Sequence, residues 1–344
     1  MSDVVVIAVG AAFAVSALVT GLVRKFALSH GVMDIPNERS SHTAATPRGG
    51  GLAMVAACSI AFVVLAVLAV IPGPLSIALL AGGAAVAAIG FLDDRRPLPA
   101  GLRLAVHVGA AAWAVAWLDG LPPVRIGDAL LSSGWIGGVL AVLGIVWSLN
   151  LFNFMDGIDG IAASEAAFVS GAAAFLGLSS GHAAVTPAAA VFCAAACGFL
   201  LWNWPPARIF MGDVGSGYLG FVIAVLALAA TRHDPAAVWV WLILGGVFFV
   251  DATVTLARRT ARGDRVYEAH RSHAYQWLAR RWGKHRPVTL AVLTVNVLWL
   301  LPAAWFASRH PRMAAWVVLA AYLPLIVLAL AAGAGKAEQA VSGR

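Results

Sequence analysis

Long apolar runs constrain the fold of this chain more than any other feature of its sequence. Runs of about 17 to 22 residues recur from end to end, and each is long enough to cross a hydrocarbon core roughly 30 Å thick as a helix. Only 11% of the 344 residues are charged, whereas a soluble domain carries roughly 25%. No stretch between the runs is large enough for a soluble domain. The sequence therefore predicts an all-α polytopic membrane protein with one integral-membrane domain over residues 1–344.

Eleven spans are predicted along the chain. They lie near residues 4–23, 51–70, 75–92, 102–118, 135–152, 158–178, 187–203, 215–230, 236–256, 287–307 and 313–333. The first run is followed at once by Arg24 and Lys25 and has no basic residue before it, which is the reverse of the charge order in a signal peptide. It is therefore predicted to be a retained helix.

The basic residues predict the orientation of the chain. When the connections are assigned to alternate sides, 19 of the 23 Lys and Arg fall on one side, and the other side holds Arg125, Arg232, Arg309 and Arg312. Because basic residues accumulate on the cytoplasmic side of membrane proteins, the N-terminus is predicted outside and the C-terminus in the cytoplasm. The formal net charge of +7 then follows from topology and from contact with anionic membrane lipid, without nucleic-acid binding.

Five aspartates fall at the predicted cytoplasmic ends of the spans or just beyond them. They are Asp93, Asp94, Asp156, Asp159 and Asp213. A single Asp at such a position is typically a solvated helix cap. Here, however, three separated segments bring five carboxylates to one depth in the membrane. That arrangement favours a shared site.

The three segments each have a distinctive pattern. Asp93 and Asp94 are adjacent, and like charges so close are costly unless a cation or a basic group such as Arg95 or Arg96 compensates them. Asp156 and Asp159 are each followed by glycine, so the backbone can turn tightly while their oxygens converge, although an ordinary polar loop is the alternative.

The third segment carries Asp213 between glycines at the start of a predicted helix. Free N–H groups at a helix N-terminus attract an anion, and glycines allow phosphate oxygens to approach closely. Mg²⁺ prefers one or two carboxylates together with substrate phosphates. The combination predicts a site for Mg²⁺ and a diphosphate.

Two further segments are rich in hydrogen-bond donors. Residues 36–51 include Arg48, and residues 268–276 include Arg271 and His273, all of which are suited to clamp a phosphate. The alternative for the second segment is an amphipathic surface helix on anionic lipid, because the surrounding loop is strongly basic. The two roles are compatible.

In their order along the chain these motifs resemble the polyprenyl-phosphate N-acetylhexosamine 1-phosphate transferase family, which includes the phospho-N-acetylmuramoyl-pentapeptide transferases. The resemblance covers nearly the whole chain and rests on Pro47-Arg-Gly-Gly, Asp93-Asp94, residues 153–160, residues 210–216 and the last cytoplasmic loop. It implies a ten-span or eleven-span protein of the bacterial inner membrane. The implied reaction transfers an N-acetylamino-sugar 1-phosphate from a UDP-sugar to polyprenyl (undecaprenyl) phosphate at the cytoplasmic face and releases UMP.

The resemblance also implies roles for the acidic residues. Asp213 matches the Mg²⁺ ligand of the family, Asp156 is expected at the same metal, and Mn²⁺ is expected to substitute for Mg²⁺. Asp93 and Asp94 match the pair assigned to the lipid phosphate, either as a general base or as a covalent nucleophile. Asp159 matches a position that contacts nucleotide or metal and is counted with the catalytic residues.

The resemblance also implies residues that contact the substrates. Substrate contacts are expected from Arg48, Asn153, Asn203, Phe210 and Arg271, and a catalytic contact from His273. Phe210 matches an aromatic residue that stacks on uracil.

Departures from the family pattern indicate which glycan pathway the chain serves. Tyr275 and Gln276 replace histidines found in many relatives, a variant that resembles the branch initiating O-antigen or capsule glycans. The alternatives are the same chemistry in a peptidoglycan or other pathway, and a secondary transporter, which His107, Glu165 and Asp251 within predicted spans would suit. These three residues lie near predicted cytoplasmic ends, so the other interpretation is that they are supporting polar groups around the acidic site. The sugar, the polyprenol length and a homodimer are left open by the sequence.

Overall fold

The computed structural model of the chain describes residues 2–36, 44–180, 184–264 and 270–337. Thirteen helices are numbered here in chain order within these ranges. They are α1 (Asp3–His30), α2 (Gly51–Val67), α3 (Gly73–Arg95), α4 (Ala100–Trp117), α5 (Gly134–Met155), α6 (Ile161–Ser180), α7 (Thr186–Asn203), α8 (Asp213–His233), α9 (Ala237–Leu244), α10 (Gly246–Ala261), α11 (Ala274–Trp282), α12 (His285–Arg309) and α13 (Ala314–Ala332). A π-helical turn interrupts α3 at Ala78–Gly82 and α12 at Asn296–Leu300.

The predicted all-α polytopic architecture is confirmed. Among the described residues, nine helices are long and apolar enough to cross a membrane, and the pair α9 and α10 makes up to ten if it counts as one span. Helix α2, at 17 residues, is at the lower limit for a span. The ninth predicted span, residues 236–256, is bent by 75°. Two consecutive glycines, Gly245 and Gly246, lie at the break, and glycine is a poor helix former.

Helix α8 lies at the centre of the molecule and is its most enclosed span. Of its most apolar window 89% is buried, compared with 28% for α1 and for α13. Glycines let its neighbours approach: a Cβ on Gly220 would lie 2.3 Å from the carbonyl oxygen of Ser148, and one on Gly90 would lie 2.5 Å from that of Asp213. Helices α3 and α5 therefore pack closely against α8, and this packing fixes the position of Asp213.

Two short hairpins occur at the ends of the spans. Strands β1 (Met33–Asp34) and β2 (Thr46–Pro47) follow α1, and strands β3 (Val124–Ile126) and β4 (Ala129–Leu131) follow α4. Three connections meet at the second hairpin. Arg232 pairs with Asp119 at 3.0 Å, Arg312 pairs with Asp128 at 2.9 Å, and the Arg125 N–H donates to the Pro235 carbonyl at 2.9 Å. These connections thus share one face, as the alternating assignment predicts. Which face is cytoplasmic stays a prediction.

Candidate active site

The carboxylate of Asp94 joins the end of α3 to the start of α8. Its Oδ1 accepts the N–H of Asp213 at 2.9 Å, and its Oδ2 accepts that of Val214 at 3.2 Å. These are the first two residues of α8, whose N–H groups have no partner within the helix. A negative charge is favourable at this positive end of the helix dipole. Arg48 adds an ion pair, with its Nη2 2.6 Å from Asp94 Oδ1.

Asp93 has a different set of partners. Its Oδ1 accepts the N–H of Leu98 at 2.7 Å, and its Oδ2 lies 2.5 Å from Nη1 of Arg103 in the first turn of α4. The alternative that Arg95 compensates this pair finds no support, because the Arg95 guanidinium lies over the Phe91 ring, 4.2 Å from its centroid. Compensation instead comes from Arg103, ten positions along the chain from Asp93, and from Arg48 in the segment before α2.

Asp213 lies between the same two arginines. Its Oδ1 is 3.8 Å from Arg48 Nη2, and its Oδ2 is 3.7 Å from Arg103 Nη1. Asn153 donates through Nδ2 to Asp213 Oδ1 at 3.0 Å and to Ser216 Oγ at 3.1 Å. With 28% of its side chain exposed, compared with 8% for Asp93, Asp213 is the more accessible carboxylate.

Gly212 is what allows these carboxylates to meet. Its φ of 77° lies in the left-handed region, and a Cβ there would be 2.4 Å from Asp94 Oδ2. Any side chain would therefore strain the backbone and push Asp94 away from α8.

Asp156 completes an acidic cluster that we define as Asp93, Asp94, Asp156 and Asp213. It follows the last residue of α5 and is partly buried. Burial raises the pKa of Asp156 well above its ordinary value, and the nearby charges of Asp213 and then Asp94 raise that pKa further. The cluster thus holds more carboxylates than the two arginines, Arg48 and Arg103, can neutralise.

Asp159 faces a separate cavity of about 560 Å³. The loop after α7 contributes Pro205, Ala207 and Phe210 to its walls, and residues 283–286 line another side. Asp159 Oδ2 accepts the N–H of Ala207 at 3.0 Å, and its Oδ1 lies 3.1 Å from His285 Nδ1. Asp159 and Phe210 therefore line the same cavity.

Asn203 supports this cavity from behind. Its Oδ1 accepts the N–H of Gly160 at 3.0 Å, and its Nδ2 donates to the carbonyl of Ile209 at 3.0 Å. Because only 3% of Asn203 is exposed, it links the Asp159 turn to the loop that carries Phe210. The backbone of Phe210 also bonds to the segment that holds Arg48, through Pro47 at 2.8 Å and Gly50 at 2.9 Å.

The segment before α11, residues 270–273, is held against α10 by Asp251. That carboxylate accepts the N–H groups of Ala274 at 2.9 Å and Tyr275 at 3.1 Å and so caps α11. His273 is buried, with Nδ1 3.4 Å from Asp251 Oδ1, and the Arg271 carbonyl accepts a bond from Arg280 at 2.8 Å. The catalytic role of His273 and the substrate role of Arg271 stay predictions.

Three residues that sequence reasoning did not assign to the site lie beside it. They are Arg103, Tyr275 and His285. Tyr275 replaces a family histidine, and its hydroxyl donates to the carbonyl of Phe154 at 2.9 Å, next to the Asp156 turn. The position of Arg103 at the start of the predicted span 102–118 was the one available signal, because a charge at a membrane boundary needs a partner.

The acidic cluster fits Mg²⁺. In the part of the chain that the structure describes, no three His, Cys, Asp or Glu side chains form a ready cage for a metal. Mg²⁺ does not need such a cage, since it keeps waters and binds substrate phosphates beside one or two carboxylates. Asp213 and Asp156 carry carboxylate oxygens of the kind that Mg²⁺ prefers, and these two residues would hold the ion.

Comparison with known proteins identifies relatives of this chain. Residues 76–231 match the family model of glycosyl transferase family 4. A probable undecaprenyl-phosphate N-acetylglucosaminyl 1-phosphate transferase of Bacillus subtilis (strain 168) is 28% identical over 97% of this chain and 94% of its own. A decaprenyl-phosphate N-acetylglucosaminephosphotransferase of Mycobacterium tuberculosis (strain CDC 1551 / Oshkosh) is 31% identical over 88% of this chain and 82% of its own.

A third relative is named for the transfer of a different group. The phospho-N-acetylmuramoyl-pentapeptide-transferase of Synechococcus elongatus is 32% identical over 72% of this chain and 70% of its own. The resemblance inferred from the motifs is confirmed, and the chain belongs to glycosyl transferase family 4, the family of the polyprenyl-phosphate sugar-1-phosphate transferases.

Proposed function

We propose that this chain transfers N-acetylglucosamine 1-phosphate from UDP-N-acetylglucosamine to a polyprenyl phosphate. The products are a polyprenyl diphosphate sugar and UMP. The observation that carries the proposal is the acidic cluster with Arg48 and Arg103 at the ends of three spans, close to the cavity lined by Asp159 and Phe210. The relatives named for N-acetylglucosamine, which align over most of the chain, favour this sugar.

The nucleotide is proposed to occupy the cavity beside Asp159. Phe210 offers an aromatic ring on which uracil can stack, and Asp159 offers hydrogen-bond acceptors. Asn203 keeps these two residues in register through its two backbone bonds. This assignment leaves the diphosphate directed toward Arg48, whose segment is bonded to that of Phe210.

The diphosphate is proposed to lie between the arginines and the acidic cluster. Arg48 and Arg103 are placed to hold phosphate oxygens. Asp213 and Asp156 would hold Mg²⁺, or Mn²⁺ in its place, which neutralises charge on the diphosphate when bound. Phosphoryl transfer asks a protein mainly for such positioning and charge neutralisation.

Asp93 is proposed to receive the lipid phosphate. Both oxygens of Asp94 are bound by N–H groups of α8, so that carboxylate is committed to holding the helix. The Oδ2 atom of Asp93 pairs with Arg103, and a phosphate can compete for that arginine. An oxygen of the lipid phosphate then attacks the β-phosphorus of the UDP-sugar, a new P–O bond forms, and the bond to UMP breaks.

A panel of donors tests the sugar assignment. Purified protein is supplied with polyprenyl phosphate, Mg²⁺ and either UDP-N-acetylglucosamine, UDP-N-acetylgalactosamine or UDP-N-acetylmuramoyl-pentapeptide. We expect the highest kcat/KM for UDP-N-acetylglucosamine. A preference for the pentapeptide donor would move the chain to the peptidoglycan branch, and a preference for another sugar would favour a different envelope glycan such as O-antigen or capsule.

A further inference from the structure

His285 contacts Asp159 across 126 positions of sequence. It is the first residue of α12, whereas Asp159 lies in the turn between α5 and α6. The Nδ1 atom of His285 is 3.1 Å from Asp159 Oδ1 and 3.3 Å from the backbone nitrogen of Asp159. The two side chains are mostly buried, with 16% and 13% exposed. This contact was not anticipated by any sequence motif.

Only one of the two possible bonds can form in a given tautomer. A ring nitrogen either carries a proton and donates or has a free lone pair and accepts. If Nδ1 of His285 had a free lone pair, it would face the negative Asp159 oxygen at 3.1 Å without a proton between them. The carboxylate therefore favours a proton on Nδ1, which donates to Asp159 Oδ1.

A second residue of α12 strengthens the contact. The hydroxyl of Thr289, one turn after His285, donates to the backbone carbonyl of Asp159 at 3.1 Å. Thr289 is fully buried, and hydrogen bonds in such surroundings are little weakened by water. His285 and Thr289 hold the Asp159 turn from α12, and the N–H of Ala207 holds it from the loop after α7.

We propose that His285 is a positioning residue for the donor nucleotide and acts by fixing Asp159 in the cavity. The proposal rests on the proposed function, which places the nucleotide there. The cavity is lined by Asp159, by the loop after α7 and by His285 itself. Because the acidic cluster is held by other contacts, loss of His285 acts on nucleotide binding and leaves the chemical step largely intact.

The test exploits the difference between the two ring nitrogens. Asparagine places an amide N–H near the position of Nδ1, whereas glutamine places one near Nε2. We expect His285→Ala and His285→Gln to raise KM for UDP-N-acetylglucosamine about tenfold, the size of a lost bond to a charged group, with kcat changed less than about twofold. His285→Asn should keep KM within about threefold of the parent. His310→Ala, an exposed histidine just beyond the other end of α12, is the matched control and should behave as the parent.

Binding of UMP, measured by calorimetry on the same purified proteins, gives a readout that does not depend on turnover. Affinity should fall about tenfold in the Ala and Gln variants and stay close to the parent in the Asn variant. If the Ala variant fails to purify as a folded protein, the comparison of the Asn variant with the Gln variant still tests the role of His285. Normal KM and normal UMP affinity in the Gln variant, or equal damage in Asn and Gln, would overturn the role of His285. A parent protein that turns over no UDP-sugar would instead overturn the proposed function.

Discussion

The two adjacent aspartates at the end of α3 have separate tasks because their side chains leave the helix in different directions. Asp94 points to the start of α8 and binds its first two N–H groups, while Asp93 points to Arg103 on α4. Each carboxylate thereby gains its own arginine, which offsets the cost of placing two like charges side by side. These two aspartates and their partners Arg48 and Arg103 also surround Asp213.

Substitution of Asp213 tests the metal site at the scale of one residue. Asp213→Asn should lower turnover at least a hundredfold, because an amide cannot supply the anionic oxygen that Mg²⁺ prefers. The melting temperature should change little, since the α8 cap depends on the backbone N–H of residue 213 and not on its side chain. UMP release at Mg²⁺ concentrations that limit the parent is the measurement.

Asp119→Asn is the matched control for that substitution. Asp119 is an exposed aspartate on the face opposite the site, and its ion pair with Arg232 is of the exposed kind that contributes little to stability. It should keep parental turnover. Near-parental turnover of Asp213→Asn under the same limiting Mg²⁺ would remove Asp213 from the metal role.

The acidic residues of the site were predictable from sequence, and their partners were not. Aspartates such as Asp156 and Asp213 stand out because they fall at the predicted cytoplasmic ends of apolar spans. Arg103 and His285 belong to no such motif in the sequence. Their contacts form only when α4 and α12 pack beside the Asp motifs, and His285 meets Asp159 across 126 positions of sequence.

At the scale of elements, the crossing of α3 and α8 depends on Gly90. A Cβ at this position would lie 2.5 Å from the carbonyl oxygen of Asp213, and backbone cannot move aside as a flexible side chain can. We expect Gly90→Ala to separate the two helices, to lower the melting temperature by several degrees and to reduce turnover at least tenfold. Thermal unfolding and UMP release measure the two effects.

Gly101→Ala is the control for Gly90→Ala. A Cβ on Gly101, in the first turn of α4, meets no atom within 4 Å. Alanine there should leave stability unchanged or raise it slightly, because alanine favours a helix more than glycine does. Equal stability and equal turnover of both variants would show that the α3 and α8 crossing tolerates a larger separation.

The spans were predictable as elements, but their irregularities were not. Apolar length alone locates helices such as α8 and α13, because every polar backbone group in a membrane must be satisfied within the helix. The π-helical turn at Asn296–Leu300 and the 75° bend before α10 follow from local hydrogen bonding and packing. Hydropathy carries no information on either.

At the scale of the whole molecule, the orientation in the membrane is the prediction to test. The connections that carry Asp119, Asp128 and Arg232 meet on one face, and the acidic cluster lies at the opposite ends of the spans. In a variant whose Cys58, Cys193 and Cys197 are replaced by alanine, Ala129→Cys should react with a membrane-impermeant reagent in intact cells. Ala100→Cys should react only after the cells are opened. The reverse pattern would place the site outside the cell.

We propose that the acidic cluster and the adjoining cavity together transfer a sugar phosphate to a lipid phosphate. The decisive experiment measures UMP release from UDP-N-acetylglucosamine by the purified full-length protein, with lipid products followed in parallel. We expect UMP and polyprenyl diphosphate sugar in equal amounts, only when polyprenyl phosphate and Mg²⁺ are both present, and loss of both products on chelation of the metal. UMP release that proceeds at the same rate without lipid phosphate, or no release from any UDP-sugar under these conditions, would contradict it.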